Sequence, residues 1–170
     1  MYIQIKKLHT FVPTNLVITN MKIEDLIKST VPLNNAKRTL LNIMFAQNII
    51  GDQFNEILKP VDLSAEQYNV LRILRGQKGA TTNMCSIQER MIAKTSNTTR
   101  LVDKLLLKEL VTREVCPNNR RKMEVQITQK GMNLLAELDP KVVEHEEYFA
   151  QKLTREELEQ LNNLLEKYRS

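Results

Sequence analysis

The sequence predicts a mainly α-helical protein with one small β-hairpin, and three observations support this fold class. Apolar residues, 42% of the 170, recur at helical spacing over most of the chain, whereas strict apolar and polar alternation occurs in one short stretch. Glycine and proline are rare, with four and five copies. Side chains suited to capping helices precede several apolar runs. The length fits one domain, or a small domain with appended helices.

The composition argues against a membrane protein, a metalloprotein and an enzyme. No apolar run approaches the roughly 18 residues that a membrane span needs, and charged residues interrupt residues 3–18, so we expect a cytoplasmic protein that binds no membrane. Two cysteines, Cys85 and Cys116, cannot form a disulfide framework, and two histidines cannot supply a multi-histidine metal site. We therefore expect no cofactor. Nothing resembles a Ser/His/Asp set or a glycine-rich phosphate loop.

The first long helix is predicted between residues 35 and 58, inside a segment, residues 31–62, that we expect to mediate dimerisation. Its apolar residues cover more than one face, and such a helix needs two partners. One partner can be its own core and the other a second subunit. Pro60 then ends the helix. We expect residues 1–30 to be an N-terminal extension, which is disordered, an arm over the dimer, or the product of an upstream translation start.

Two capping boxes mark the beginnings of later helices. Ser64 and Gln67 stand three residues apart, so that each side chain can hydrogen-bond the backbone N–H group of the other. Thr154 and Glu157 repeat this arrangement. Both boxes precede apolar residues at helical spacing, which predicts one helix after each box.

Residues 132–170 are predicted to form the C-terminal dimerisation helices. Thr128 is a candidate cap for a long helix that runs towards Gln151 and that Pro140 kinks or interrupts. The following helix is rich in leucine. Together with the apolar first helix, these leucines exceed what one small monomer can cover, so we expect a homodimer.

Two short helices are predicted in the middle of the chain. Asn83 can cap the first, which extends through Met91. The second begins near Lys94 or Thr95, and its inner stripe follows the i, i+3, i+4, i+7 rule. That stripe contains Thr98, Leu101, Val102 and Leu105, and the outward face contains Ser96, Thr99, Arg100, Asp103 and Lys104.

A β-hairpin follows these two helices. Residues 122–127 alternate apolar and polar side chains, and residues 111–115 precede them as the partner strand. The tip, residues 116–121, combines turn-forming residues with two adjacent arginines, Arg120 and Arg121. Such a tip extends beyond the body to which it is attached.

The formal net charge of +5 lies entirely within residues 81–131, which contain ten basic and five acidic residues. The rest of the chain contains fifteen of each sign. Association with a polyanion depends on the local field more than on the total charge. A basic module on a neutral scaffold therefore favours nucleic acid as the partner.

A short helix, a turn, a second helix and a hairpin, in this order, predict a winged helix-turn-helix, and residues 63–131 are the predicted DNA-binding region. An α-helix fits the major groove of B-DNA, so a helix with one packed face can present the other to base edges, while the hairpin reaches the backbone or the minor groove. Arg100 is our first candidate for a base contact, because arginine binds guanine with two hydrogen bonds. The predicted DNA-binding residues are Thr95, Ser96, Asn97, Thr99, Arg100, Lys104, Arg120 and Arg121.

From about residue 35 to the C-terminus, the chain resembles the multiple-antibiotic-resistance regulator (MarR) family of bacterial transcription factors. The most specific parts of the resemblance are residues 95–105, residues 108–111 and the hairpin, or wing. The family's wing usually reads Asp-x-Arg, then five residues, then Leu-Thr. This chain keeps Arg121 and ends on Ile-Thr, but Asn119 replaces the aspartate.

The resemblance implies an obligate homodimer whose first and last two helices interleave, with two recognition helices in successive major grooves of a pseudo-palindromic operator and Arg121 in the minor groove. It implies a repressor, less often an activator, that responds to a small-molecule effector bound between the dimerisation helices and the winged helix. No residue identifies that effector. It also supplies a positioning role for Asp103, which would orient an arginine such as Arg121, since a bare carboxylate repels phosphates.

Two other functions stay open at this point. A winged helix that has lost DNA binding would be a protein-interaction module, and for the basic residues a solvated surface is the simpler interpretation. A thiol-based redox-sensing regulator is the second alternative. Relatives of that type carry the reactive thiol in the first helix, where neither cysteine lies, so Cys85 and Cys116 are expected to be structural or incidental. Basic neighbours would nevertheless make Cys116 the more reactive thiol.

Overall fold

The computed structural model describes residues 21–94, 97–116 and 119–170, and for residues 119–122 only the backbone is described. The chain divides into two compact units, Met1–Gln47 and Asn48–Ser170. The predicted fold class, mainly α with a small β-hairpin wing, is confirmed. The elements are α1 (Ile23–Leu26), α2 (Asn35–Leu58), a 3-10 turn (Lys59–Val61), α3 (Ala65–Arg75), β1 (Thr82–Asn83), α4 (Met84–Arg90), α5 (Thr98–Leu107), β2 (Val111–Cys116), β3 (Asn119–Ile127), α6 (Gln129–Ala150) and α7 (Arg155–Tyr168).

The described part of the first unit contains α1 and the beginning of α2. An ion pair joins them: Arg38 Nη2 lies 2.6 Å from Glu24 Oε1, and Arg38 Nε donates to the same oxygen at 2.8 Å. The backbone hydrogen bond at Glu24, together with the nearby guanidinium, lowers the pKa of this carboxyl. The long α2 confirms the predicted helix, which ends before Pro60 as expected.

Helix α3 lies at the centre of the second unit. The predicted capping box is present, since Ser64 Oγ accepts from the Gln67 N–H at 3.2 Å and Gln67 Oε1 accepts from the Ser64 N–H at 3.0 Å. The apolar side chains of α3 join those of α4, α5, β3 and α6 in one core. Its fully buried members are Leu58, Val70, Leu71, Leu74, Ile87, Met91, Val102, Leu105, Val125, Leu135 and Leu138.

The predicted hairpin is confirmed and belongs to a three-stranded antiparallel sheet in the order β1-β3-β2. Val111 pairs with Ile127 at the base of the hairpin, and the register shifts once, between Val115 and Cys116. Both strands extend into the segment predicted as the tip. Strand β1 was not predicted, because two residues are too short to show alternation.

Pro140 was predicted to kink or interrupt α6, and the interruption is wrong, because the helix continues through this residue. A proline removes one helical hydrogen bond, but buried residues before and after it, Leu138 and Val142, hold both halves on the same core. The predicted cap is present: Thr128 Oγ1 accepts from the Gly131 N–H at 3.1 Å. The second capping box is confirmed at Thr154, where α7 begins.

Within the described ranges, no helix combines the length and the apolar character that a membrane span requires.

Candidate nucleic-acid interface

Helix α5 has one packed face and one exposed face, as the sequence predicted. Thr98 is 5% exposed, and Val102 and Leu105 are fully buried. Thr99, Arg100 and Lys104 are exposed on the other side. The helix therefore presents a polar, basic face outward while its apolar face packs on α3 and α4.

Helix α5 begins at Thr98, so the predicted beginning near Lys94 or Thr95 is wrong. Asn97 is the N-cap residue, and its Oδ1 accepts from the Arg100 N–H at 3.1 Å. A side-chain oxygen in this position satisfies a backbone donor of the first turn. Asn97 therefore has a structural role at the end of the candidate interface. Thr95 and Ser96, also predicted to bind DNA, lie outside the described residues.

The basic side chains around α5 differ in their pairing. Lys108 Nζ donates to the backbone carbonyl of Asp62, at 2.6 Å, and to the carboxylate of the same residue. Lys130 Nζ lies 2.8 Å from Glu109 Oε2. These ammonium groups lower the pKa of each partner carboxyl, first by hydrogen bonding and then by charge. Across the described ranges, by contrast, Arg100 and Lys104 form no ion pair. Their cationic groups are therefore available to an external anion.

The positioning role that the resemblance implies for Asp103 can be examined for one arginine, Arg113. Asp103 Oδ1 accepts from Arg113 Nη1 at 2.6 Å, and Arg113 lies on β2. The side chain of Arg121, the expected partner, is not among those described. The pair joins α5 to the base of the wing. Because both side chains are substantially exposed, it affects geometry more than stability.

The wing also carries an acidic pair on one side. Glu114 and Glu124 are register partners in the hairpin. The Cys116 thiol and the Thr81 hydroxyl, the latter at 2.9 Å, donate to Glu124 and lower the pKa of its carboxyl. The two carboxylates on this side of the wing would repel phosphate groups. The side chains of Arg120 and Arg121, the wing residues predicted to bind DNA, are not among those described.

Sequence reasoning missed Gln88 on α4. Its Oε1 accepts a hydrogen bond from Thr98 Oγ1, and its Nε2 donates to the Lys94 carbonyl at 2.6 Å. This amide therefore bridges the turn between the two helices. The sequence offers only a weak signal for this role, because a polar residue next to the inward-facing Ile87 is equally common on a solvent-exposed helix face.

The described side chains contain no group of three or more His, Cys, Asp or Glu residues that could hold a metal ion. Cys85 is exposed and Cys116 is half-buried, and neither lies in α2.

A helix-turn-helix followed by a hairpin, with a basic exposed face on its second helix, defines a winged helix-turn-helix protein. Residues 63–123 match the MarR family model. Over 122 residues the chain is 30% identical to the HTH-type transcriptional regulator MhqR of Bacillus subtilis (strain 168), covering 72% of this chain and 83% of that protein. The chain belongs to the MarR family and is a transcriptional regulator, not an enzyme.

Solved structures agree with this assignment. A MarR transcription factor from Planctomyces limnophilus is 31% identical, with a TM-score of 0.62, and the match covers 80% of this chain and 98% of that chain. A cysteine-to-serine mutant of MarR from E. coli, complexed with operator DNA, is 25% identical with a TM-score of 0.69 and covers 81% of this chain and 99% of that chain.

Proposed function

We propose that this protein is a homodimeric repressor that binds a pseudo-palindromic operator through the exposed face of α5 and responds to a small-molecule effector. The observation that carries DNA binding is the outward position of Arg100 and Lys104 on a helix whose opposite face is buried. The operator complex of the MarR relative from E. coli supports the same partner.

The residues of the interface divide by their chemistry. Arg100 reads a base, because its guanidinium matches the two acceptors of guanine, and Lys104 binds phosphate as a point charge. Thr99 lies in the first turn of α5 and Asn97 immediately before it. Short polar side chains in these positions can contact the phosphate backbone of DNA. We also propose that Thr95, Ser96, Arg120 and Arg121 contact DNA, because of their positions in the sequence.

A second copy of the chain is the proposed partner for the C-terminal helices. No residue of α7 is buried. Leu161 and Leu164 are 42% and 65% exposed, and Tyr168 is 55% exposed. An amphipathic helix with an uncovered apolar stripe is typical of an interface between subunits. A dimer would place two α5 helices on one duplex, which requires half-sites about 10 base pairs apart.

The effector is proposed to act where the dimerisation helices meet the winged helix. Within the second unit, aromatic rings from α2, α3 and α6 meet at this junction: Phe54 lies 5.2 Å from Tyr68 and 5.5 Å from His145, centroid to centroid. A molecule that binds one arrangement of these helices better than another would shift the spacing of the two α5 helices, and with it operator affinity. Release of bound operator by hits from a thermal-shift screen would support this coupling, and hits that stabilise the protein without releasing DNA would contradict it.

Selection of bound fragments from random duplexes by the purified full-length protein tests operator binding. We expect enrichment of a two-fold symmetric sequence whose half-sites are about 10 base pairs apart, with affinity that falls steeply as salt is added. If no duplex is retained even at low salt, the protein is a winged-helix interaction module and the proposal is wrong.

A further inference from the structure

We propose that Gln88 is a positioning residue for operator recognition: its amide joins α4 to the first turn of α5 and sets the register of Arg100 against the bases. This inference rests on the proposed operator binding and deepens it. Gln88 is half-buried, and the inference assigns it no contact with a base.

The geometry uses both ends of one side-chain amide. Oε1 accepts from the Thr98 hydroxyl, and Nε2 donates to the Lys94 carbonyl at 2.6 Å. Among side chains of this length, an amide is the group that provides an acceptor and a donor together. A carboxylate would keep only the acceptor, and a thioether would keep a weak acceptor and no donor. One residue thus connects α4, the turn and α5.

The hydrogen bond between Thr98 and Gln88 constrains the orientation of α5. Thr98 is 5% exposed and lies on the packed face of α5, and a buried hydroxyl is normally hydrogen-bonded. Its neighbours on that face, Val102 and Leu105, pack through apolar contacts, which have no preferred direction. The hydrogen bond to Gln88 therefore adds an angular constraint on the rotation and sliding of α5 that apolar packing does not supply.

The other end of the connection is itself fixed. Asn69 of α3 is 6% exposed, and its Nδ2 lies 3.7 Å from Sδ of Met91, the C-cap residue that follows α4. Arg72 Nη2 donates to Asn69 Oδ1 at 3.3 Å. Gln88 therefore extends from a helix that is held on the core, and it can transmit that position to α5.

Register matters because specific contacts tolerate little displacement. Functional side chains must be held within about 0.5 Å of their productive geometry. Phosphate contacts by a flexible lysine are less demanding, since the charge of lysine is compact and its stem is long. Loss of the Gln88 connection should therefore reduce specific binding more than non-specific binding.

The experiment measures the affinity of full-length dimer for the selected operator and for a shuffled duplex of the same length, at one salt concentration. We expect Gln88→Met to lower operator affinity about tenfold, equivalent to about 1.4 kcal/mol, and to change affinity for the shuffled duplex less than about twofold. Thr98→Val should lower operator affinity in the same way but by less, and the double variant should lose no more than Gln88→Met, because Gln88→Met already removes the bond to Thr98 together with the bond to Lys94. Gln88→Glu, which keeps the acceptor, should show a smaller loss and serves where Gln88→Met does not fold.

Gln129→Met is the matched control, because it makes the same substitution and removes a hydrogen bond, to Asn133 on α6, away from α5. It should preserve the ratio of the two affinities. The inference is overturned if Gln88→Met also preserves that ratio, if it lowers both affinities equally, or if the Gln88 and Thr98 losses add. If the wild-type protein does not distinguish the two duplexes, operator binding fails and the inference fails with it.

Discussion

At the scale of single residues, the basic side chains of the winged helix-turn-helix fall into two groups: those that form ion pairs with carboxylates of the protein, and those that are proposed to bind DNA. Lys108, Arg113 and Lys130 each form an ion pair with a carboxylate of the same chain. Arg100 and Lys104 project outward from α5. Sequence reasoning found this helical face, because its period is local. It could not assign the partners of Asp103 or Lys108, because those pairs join residues that only the fold brings together.

The carboxylates that pair with lysine should make stability depend on pH. The pKa values of Asp62 and Glu109 are lowered in the folded state by Lys108 and Lys130, so the unfolded chain binds protons more readily. Their contribution is present above the unfolded pKa values and is lost as pH falls through the folded ones. Urea unfolding at about pH 6 and about pH 3 should show this loss, smaller in Asp62→Asn than in wild type. An equal loss in the variant would contradict the assignment to Asp62.

Gly131 occupies a position that no larger residue should fill. A Cβ atom there would lie 2.4 Å from the Leu110 carbonyl oxygen and 2.8 Å from Ile127 Cγ1. We expect Gly131→Ala to lower the free energy of unfolding by about 2 kcal/mol, because backbone must move to relieve the overlap. In Gly51→Ala, the control, the added Cβ meets nothing within 4 Å, and helix propensity should raise stability by up to about 1 kcal/mol. Chemical denaturation measures both free energies of unfolding. If the value for Gly131→Ala equals that of wild type, the backbone between the wing and α6 adjusts to the added Cβ at little cost.

At the scale of elements, capping signals predicted helix beginnings better than apolar periodicity did. The beginnings at Ser64, Asn83, Thr128 and Thr154 were all identified from cap residues. The beginning of α5 was placed about three residues early, because polar residues between Lys94 and Asn97 fit a helix surface as well as a turn. Asn97 was predicted only as a DNA-binding residue and its role as a cap was missed, although asparagine is a preferred residue before a helix.

Removal of the Asn97 cap should loosen the beginning of α5. Asn97→Ala is expected to cost about 1 kcal/mol of stability, whereas Asn97→Asp keeps an oxygen that can accept from the Arg100 N–H and should cost less. Urea unfolding gives the free energies, and hydrogen exchange at the Arg100 amide reports the local effect. If this amide exchanges equally slowly in Asn97→Ala, the cap does not hold the first turn.

At the scale of the whole molecule, local sequence signals reached the fold class but not the assembly. The excess of apolar residues in α2 and α7 predicted a second subunit, and these helices still expose large apolar side chains in the single chain. Leu40 and Met44 in the first unit are examples, as are Leu161 and Leu164 in the second. Which of these surfaces meet in a dimer depends on contacts between chains that a single sequence does not display.

A charge placed in the apolar stripe of α7 should dissociate the proposed dimer. We expect Leu164→Glu to weaken dimerisation by more than about tenfold, because a carboxylate would be buried in an apolar interface. Asn163→Glu adds the same charge about 100° away on the helix surface and should leave dimerisation close to wild type. Sedimentation velocity over a range of concentrations measures both. A Leu164→Glu protein that remains dimeric at the lowest concentration would place the interface elsewhere.

The most direct test of the proposed function compares Arg100→Ala and Lys104→Ala on the selected operator and on its single-base-pair variants. We expect Arg100→Ala to lose about 1–3 kcal/mol of discrimination at one base pair in each half-site, and Lys104→Ala to weaken every duplex alike and reduce the salt slope by about 1. Unaltered discrimination in Arg100→Ala would contradict the claim that the exposed face of α5 lies against the bases.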